Sequence, residues 1–166
     1  MPMAGCHKSR GKYIVTGRML YTELTLRAMQ ISYLAHSYKY DKGGAPYVFH
    51  PMHLAEQMET EQEICVTLLH DVVEDSPYTI DDLKTWFPPD VIRAVELLTR
   101  RGKQSYGDYI NELADNPLAR KVKIADIKHN LDESRFALDK TFNTKKFASL
   151  KKRYEAALKV LEGFND

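Results

Sequence analysis

Cysteine is scarce: 166 residues contain two, Cys6 and Cys65. That excludes a disulfide framework, and Cys65 falls inside an apolar helical pattern, so both read as reduced thiols of a cytoplasmic protein. No apolar run approaches the ~18 residues of a membrane span, and the N-terminus has no apolar signal-peptide core. Charge of one sign is also missing. Lys and Arg number 24 against 23 Asp and Glu, a net charge of +1. Nothing in the whole chain pulls it toward nucleic acid or an anionic membrane surface, so neither is expected as a partner. The sequence shows no repeat, no low-complexity tract, and no strand-like alternation longer than "YIVTG".

What is present reads as helix after helix. Thr22 caps "ELTLRAMQISYLAHSY", with Leu26, Met29, Ile31 and Leu34 toward its inner face. "DKGGAPY" is a loop, and a second helix starts just after Pro51. "EQEICVTLLHDVVED" reads as one helix, stopped by Ser76-Pro77. "TIDD" and "SYGD" are capping boxes that open two further helices, and "DVIRAVELLTR" lies between them. Asn116 with Pro117 starts "NPLARKVKIADIKHNLDES", and Gly163 ends a last long helix. The expected architecture is a single all-α domain over residues 20–166, preceded by a flexible leader over 1–19.

The chemistry concentrates in "LLHDVVEDSP", residues 68–77. Four ionisable groups follow an apolar run, and their burial is costly unless something compensates them. On one helix His70 and Glu74 share a face, and Asp71 and Asp75 the adjacent one. Imidazole with carboxylate is the ligand set of a divalent metal, which would offset that cost. Further ligands must come from elsewhere, and two candidates stand out. His50 sits at a loop–helix junction in "YVFHP"; Asp126 lies in "VKIADIKHN", with Asn130 one turn on. Taken singly each has a plainer reading: His-Asp as a helix-end surface pair, His50 as a helix-start histidine, Asp126 paired with Lys123 or Lys128. His53, one turn from His50, is the nearest competing ligand.

"AHSYKYDKGGAPYVFHP", "LLHDVVEDS" and "VKIADIKHN" occur in that order. Together they resemble the signature of the HD-domain metal-dependent phosphohydrolases. More narrowly they are similar to the hydrolase domain of RelA/SpoT alarmone enzymes and its small stand-alone relatives. The resemblance spans roughly residues 20–162 and implies an HD-domain helical bundle. It implies His50, His70, Asp71 and Asp126 as metal ligands, with Mn2+ the usual ion. Glu74 and Asp75 become the pair that orients and deprotonates the attacking water, and Asn130 helps hold a nucleotide. A lysine at Lys123 borders the substrate pocket in the family, or is plain helix-surface charge; Lys39 and Lys42, before the metal loop, either attract phosphate or face solvent; Tyr106 and Tyr109 lie in a helix the family uses near the nucleotide, where a ring can meet the base, with core packing the plainer reading. The implied reaction removes pyrophosphate from the 3′ position of guanosine tetra- or pentaphosphate. The alternatives are hydrolysis of another small nucleotide, such as an NADPH 2′-phosphate or a nucleoside 5′-phosphate, or nucleotide binding without turnover. A synthetase role is not expected, because the chain ends where a second catalytic domain would begin. The chain departs from the long RelA/SpoT pattern at Lys39, where Gln is usual, and at Asp41 and Ile127, where Arg is usual. An acid at 41 is expected to stand near the metal entrance and weaken the grip on a highly charged diphosphate.

Overall fold

The computed structural model describes residues 20–41, 43–136 and 143–164. The 1–19 leader, including "YIVTG" and Cys6, and Lys42 lie outside the described residues. The described residues form α1 (Glu23–His36), α2 (Phe49–Ala55), α3 (Glu61–Leu69), α4 (Val72–Asp75), α5 (Ile80–Lys84), α6 (Pro89–Leu98), α7 (Tyr106–Ala114), α8 (Pro117–Asn130) and α9 (Thr144–Glu162), with a 3-10 turn at Glu133–Phe136. The bundle is all-α and of the HD-domain kind, and no strand is formed among the described residues. No helix is long and apolar enough to cross a membrane.

The caps that the sequence announces are formed. Thr22 and Thr79 each close a capping box, Asn116 accepts the amide three residues on, and Ser105 does the same without the return bond of the expected box; Thr60, not foreseen, closes a third box. Each such cap satisfies amides that a helix start otherwise leaves unpaired, for about 1 kcal/mol. The centre is α3, whose Ile64–Leu69 stretch is buried on every side, as a core helix requires. It packs against α1, α2, α6 and α8. Leu68 and Leu69 are fully buried, each worth roughly 1.5–3 kcal/mol of transfer free energy.

Three expectations are corrected. The α1 face toward the core carries Thr25, Ala28, Ile31, Ser32 and His36, while Leu26 and Leu34 point to solvent. Small side chains at Ala28 and Ser32 let α1 approach α3 closely. Second, residues 61–75 are two helices, not one, and the break falls on His70 and Asp71. Its cause is local: the His70 Nδ1 takes the Thr67 carbonyl oxygen at 2.6 Å, the acceptor that the next helical amide would use. Third, α8 ends at Asn130, and the "DES" that follows leads into the 3-10 turn.

Candidate metal centre and phosphate cavity

Three helices converge because α2, α3 and α8 pack on one another. His50 enters from the first turn of α2, His70 from the end of α3 and Asp126 from the third turn of α8. One ligand atom from each lies within 4.8 Å of the others, and all three residues are buried. The His50 Nε2 is 3.2 Å from the Asp126 Oδ1. The Asp126 Oδ1 also accepts from Asn130 Nδ2 at 2.5 Å, and its Oδ2 pairs with Lys123 Nζ at 2.8 Å.

The donor set fits a divalent cation. With the Thr67 carbonyl as its partner, the His70 Nδ1 carries the hydrogen, so Nε2 faces the cluster. That buried Nε2 has no hydrogen-bond partner, although the Asp71 Oδ2 is 3.1 Å away. An orphaned buried ring nitrogen beside another imidazole and a carboxylate is what a metal ligand set offers. Burial alone would lower the His70 pKa, but the Asp71 carboxylate beside it outweighs burial and lifts it to about 9. Burial would likewise raise Asp126, yet Lys123 and the two imidazoles hold it well below the carboxylate range. Asp71 adjoins the trio through His70, and its Oδ2 accepts the Tyr47 hydroxyl.

A cavity of about 370 Å³ opens beside this group, lined by Asp71, Asp75, Asp126, Asn130 and Lys123 and, facing them, by Lys39, Arg135, Phe136 and Tyr154. Asp75 pairs with Lys39 at 2.9 Å and has His36 Nδ1 at 3.5 Å. Glu74 does not line the cavity: its Oε1 accepts the Arg100 amide at 2.6 Å, and burial raises its pKa. The break after His70 separates the two acids in this way.

Other expected residues are placed differently from the sequence reading. Tyr109 is buried with its hydroxyl donating to the Leu98 carbonyl, and Tyr106 packs against Tyr154 and Arg153. Neither lines the cavity; the aromatic that α9 contributes is Tyr154. Ile127 is fully buried in the core, where an arginine would not fit. Asp41 does not stand free at the metal entrance. Its Oδ1 accepts the Gly43 and Ala45 amides at 2.9 Å each, and its Oδ2 pairs with Arg135 at 2.5 Å. Burial would raise its pKa, but Arg135 and the two amides hold it below the ordinary range.

Two partners of the cluster escaped the sequence reading. Tyr47 is three residues before His50, in the turn that leads into α2, where its carbonyl accepts the His50 amide at 2.9 Å and its ring lies 5.3 Å from the His50 ring. His129 is three residues after Asp126, and its Nδ1 meets the His50 Nδ1 at 2.7 Å. Burial, helped by Arg135 and by His50 and His53, lowers the His129 pKa to about 4, so the ring is neutral. His53 is exposed and touches only this outer side, 4.7 Å from the His129 ring, outside the ligand trio.

No protein-family model matches the chain. The fold is that of an all-α bundle of the HD kind. In sequence the chain is similar to proteins named for the synthesis and hydrolysis of (p)ppGpp. It is 32% identical over 137 residues to the Escherichia coli bifunctional (p)ppGpp synthase/hydrolase SpoT, covering 77% of this chain and 19% of that protein. It is 29% identical over 140 residues to the Haemophilus influenzae guanosine-3′,5′-bis(diphosphate) 3′-pyrophosphohydrolase, covering 77% and 20%. A Streptomyces coelicolor GTP pyrophosphokinase is 30% identical over 123 residues, 66% of this chain and 14% of that one. The chain thus spans a fifth or less of these relatives' length. A solved structure of a metazoan SpoT orthologue that hydrolyses ppGpp matches with a TM-score of 0.74 at 21% identity, over 88% of this chain and 89% of that one; this likeness establishes the fold.

Proposed function

We propose that the protein is a metal-dependent phosphohydrolase that removes pyrophosphate from the 3′ position of a guanosine 3′,5′-bis(diphosphate)-like nucleotide in the cytoplasm. The observation that carries the reading is the buried His50–His70–Asp126 group opening on a cavity lined with lysines and carboxylates. The names of the relatives supply the nucleotide.

His50, His70 and Asp126 would hold one divalent cation, Mn2+ by the resemblance, with Asp71 beside His70 as a further ligand. Such an ion lowers the pKa of water toward 7 and polarises a phosphoryl oxygen. The protein's own groups do the rest. Asp75, on the cavity wall, orients the attacking water, and Glu74, which stands off that wall with its Oε1 on the Arg100 amide, serves as the base once that contact is released. Lys39 and Lys123, each already beside a carboxylate on that wall, are positioned to turn to the phosphate oxygens. Asn130 fixes the Asp126 carboxylate and faces the same cavity. Phe136 and Tyr154 offer flat apolar surface to the base.

The test is a nucleotide panel with Mn2+, reading phosphate, pyrophosphate and nucleotide product separately. Release of pyrophosphate and GDP from guanosine tetraphosphate is the expected result. Orthophosphate from a 2′- or 5′-phosphate instead would move the protein to the alternative substrates, and binding without product would make it a nucleotide-binding module.

A further inference from the structure

His36 lies on the inner face of the last turn of α1, 1% exposed. Its Nδ1 is buried and has no hydrogen-bond partner among the described residues. A polar group buried in that state is costly, and a leucine would fill the space without the cost. The groups that His36 faces belong to the cavity. The Asp75 Oδ2 is 3.5 Å from the Nδ1. The Tyr47 ring, whose hydroxyl donates to Asp71, stands edge-on to the imidazole at 5.0 Å and fixes its plane. Burial lowers the His36 pKa in spite of the Asp75 and Asp71 charges, so the ring is neutral at neutral pH and carries one hydrogen.

Asp75 is gripped at one oxygen. Its Oδ1 takes the Lys39 Nζ at 2.9 Å, whereas its Oδ2 faces His36 across a gap too long for a good hydrogen bond. Lys39 is also a group that the proposed reaction draws toward the phosphate oxygens. Once it turns away, Asp75, a third exposed at the end of the four-residue α4, loses the donor that fixes it. The nitrogen already next to its other oxygen is the His36 Nδ1, carried by a fourteen-residue helix that packs on α3 and α4. A shift of about 0.7 Å brings that contact to hydrogen-bond length, and contacts of this kind tighten as a site fills.

We propose that His36 is a positioning residue for Asp75: when Lys39 turns to the substrate's phosphate, the His36 Nδ1 hydrogen takes the Asp75 carboxylate and keeps it aimed at the attacking water. The inference rests on the proposed hydrolysis, with Asp75 as the acid that orients water, and adds the group that holds that acid in place. A neutral imidazole does this without adding a positive charge beside the carboxylate. Arrival of the phosphate and alignment of the water thereby become one event.

The test compares three side chains at position 36, with Mn2+ and guanosine 3′,5′-bis(diphosphate). The amide nitrogen of His36→Asn can stand where Nδ1 stands, that of His36→Gln stands nearer to Nε2, and His36→Leu fills the space with neither. His36→Leu is expected to lower kcat about 10-fold or more, the scale of a small misplacement near a reacting centre. Its KM changes less than about 2-fold, and the rise in melting temperature on adding Mn2+ is kept. His36→Asn recovers most of the lost kcat, and His36→Gln stays with His36→Leu. In an Asp75→Asn background, His36→Leu costs less than about 2-fold more, because the two side chains act as a unit. Equal rates for His36→Asn and His36→Gln would overturn the positioning role. So would a loss that appears in KM or in the Mn2+ shift, or one that adds in full to that of Asp75→Asn. Failure of the underlying reading looks different. Asp75→Asn working at the unchanged protein's rate takes Asp75 out of the chemistry, and no product from the unchanged protein ends the phosphohydrolase reading; in either case His36 has no acid to position and the proposal falls with it.

Discussion

Adding Mn2+ to the metal-free protein is expected to raise its melting temperature by about 8 °C at a concentration of one hundred dissociation constants. Binding to the native state alone contributes ~2.7 kcal/mol under that condition. A chain of 166 residues unfolds with about 0.35 kcal/mol/K of entropy, and the ratio gives the shift. Asp126→Ala should abolish it, but that variant carries a second effect. Lys123, with a side chain only 13% exposed, sits 2.8 Å from the Asp126 carboxylate. Removing its partner strands a largely buried charge, at a cost of roughly 3–5 kcal/mol. The single variant therefore melts ~10 °C or more lower with or without metal. Asp126→Asn combined with Lys123→Met removes both charges together and recovers most of that loss, while still showing no Mn2+ shift. Differential scanning calorimetry of the three proteins, with and without Mn2+, makes the comparison. A full Mn2+ shift in the double variant would refute the reasoning, because the ion would then be held elsewhere.

Glu74→Gln keeps an oxygen for the Arg100 amide and hence the fold; kcat is expected to drop by ~10²-fold with the Mn2+ melting shift intact, and loss of that shift would make Glu74 a ligand. His129→Leu removes the ring nitrogen that meets the His50 Nδ1 and should weaken Mn2+ binding by ~10-fold or more, measured by calorimetry, whereas His129→Gln, which retains a polar group there, should recover part of it; equal losses would leave His129 a packing residue. Glu63 accepts the Glu59 and Thr60 amides and pairs with Lys121, which together outweigh burial and lower its pKa. A depressed carboxylate stabilises above its unfolded pKa of 4.5 and loses that contribution as pH falls through the folded value, so Glu63→Gln should cost ~1–2 kcal/mol in urea unfolding at pH 7 and close to nothing near pH ~2.

The helix starts were legible because each is a local event: Thr22, Thr79, Ser105 and Asn116 carry their own acceptor for an amide three residues away. His50, His70 and Asp126 were legible as candidates through resemblance, since three segments far apart in the chain have no local signal that they meet. The α1 face was misread because hydrophobicity pointed to Leu26 and Leu34, whereas close packing on α3 selects small residues at Ala28 and Ser32. The division between α3 and α4 was hidden because a continuous helical pattern does not reveal that the His70 ring competes for a main-chain carbonyl. Asp41 was misread most instructively. Its charge was plain in the sequence, but its partner lies 94 positions away, and a charge without its partner has the wrong electrostatic sign for the site.

That same separation bears on how the protein acquires its site. A Cβ at Gly43 would lie 2.4 Å from the Arg135 carbonyl oxygen, so the two segments meet backbone to backbone as well as through the ion pair. Most of the bundle can assemble from neighbouring helices, whose loops are short and whose closure costs little entropy. This wall of the cavity cannot. It exists only after a loop of nearly a hundred residues has closed, and it is expected to open before the core, which amide exchange faster at Gly43 and Ala45 than along α3 would check. The chain can thus be largely folded, with its core intact, and still lack a cavity able to tell one nucleotide from another.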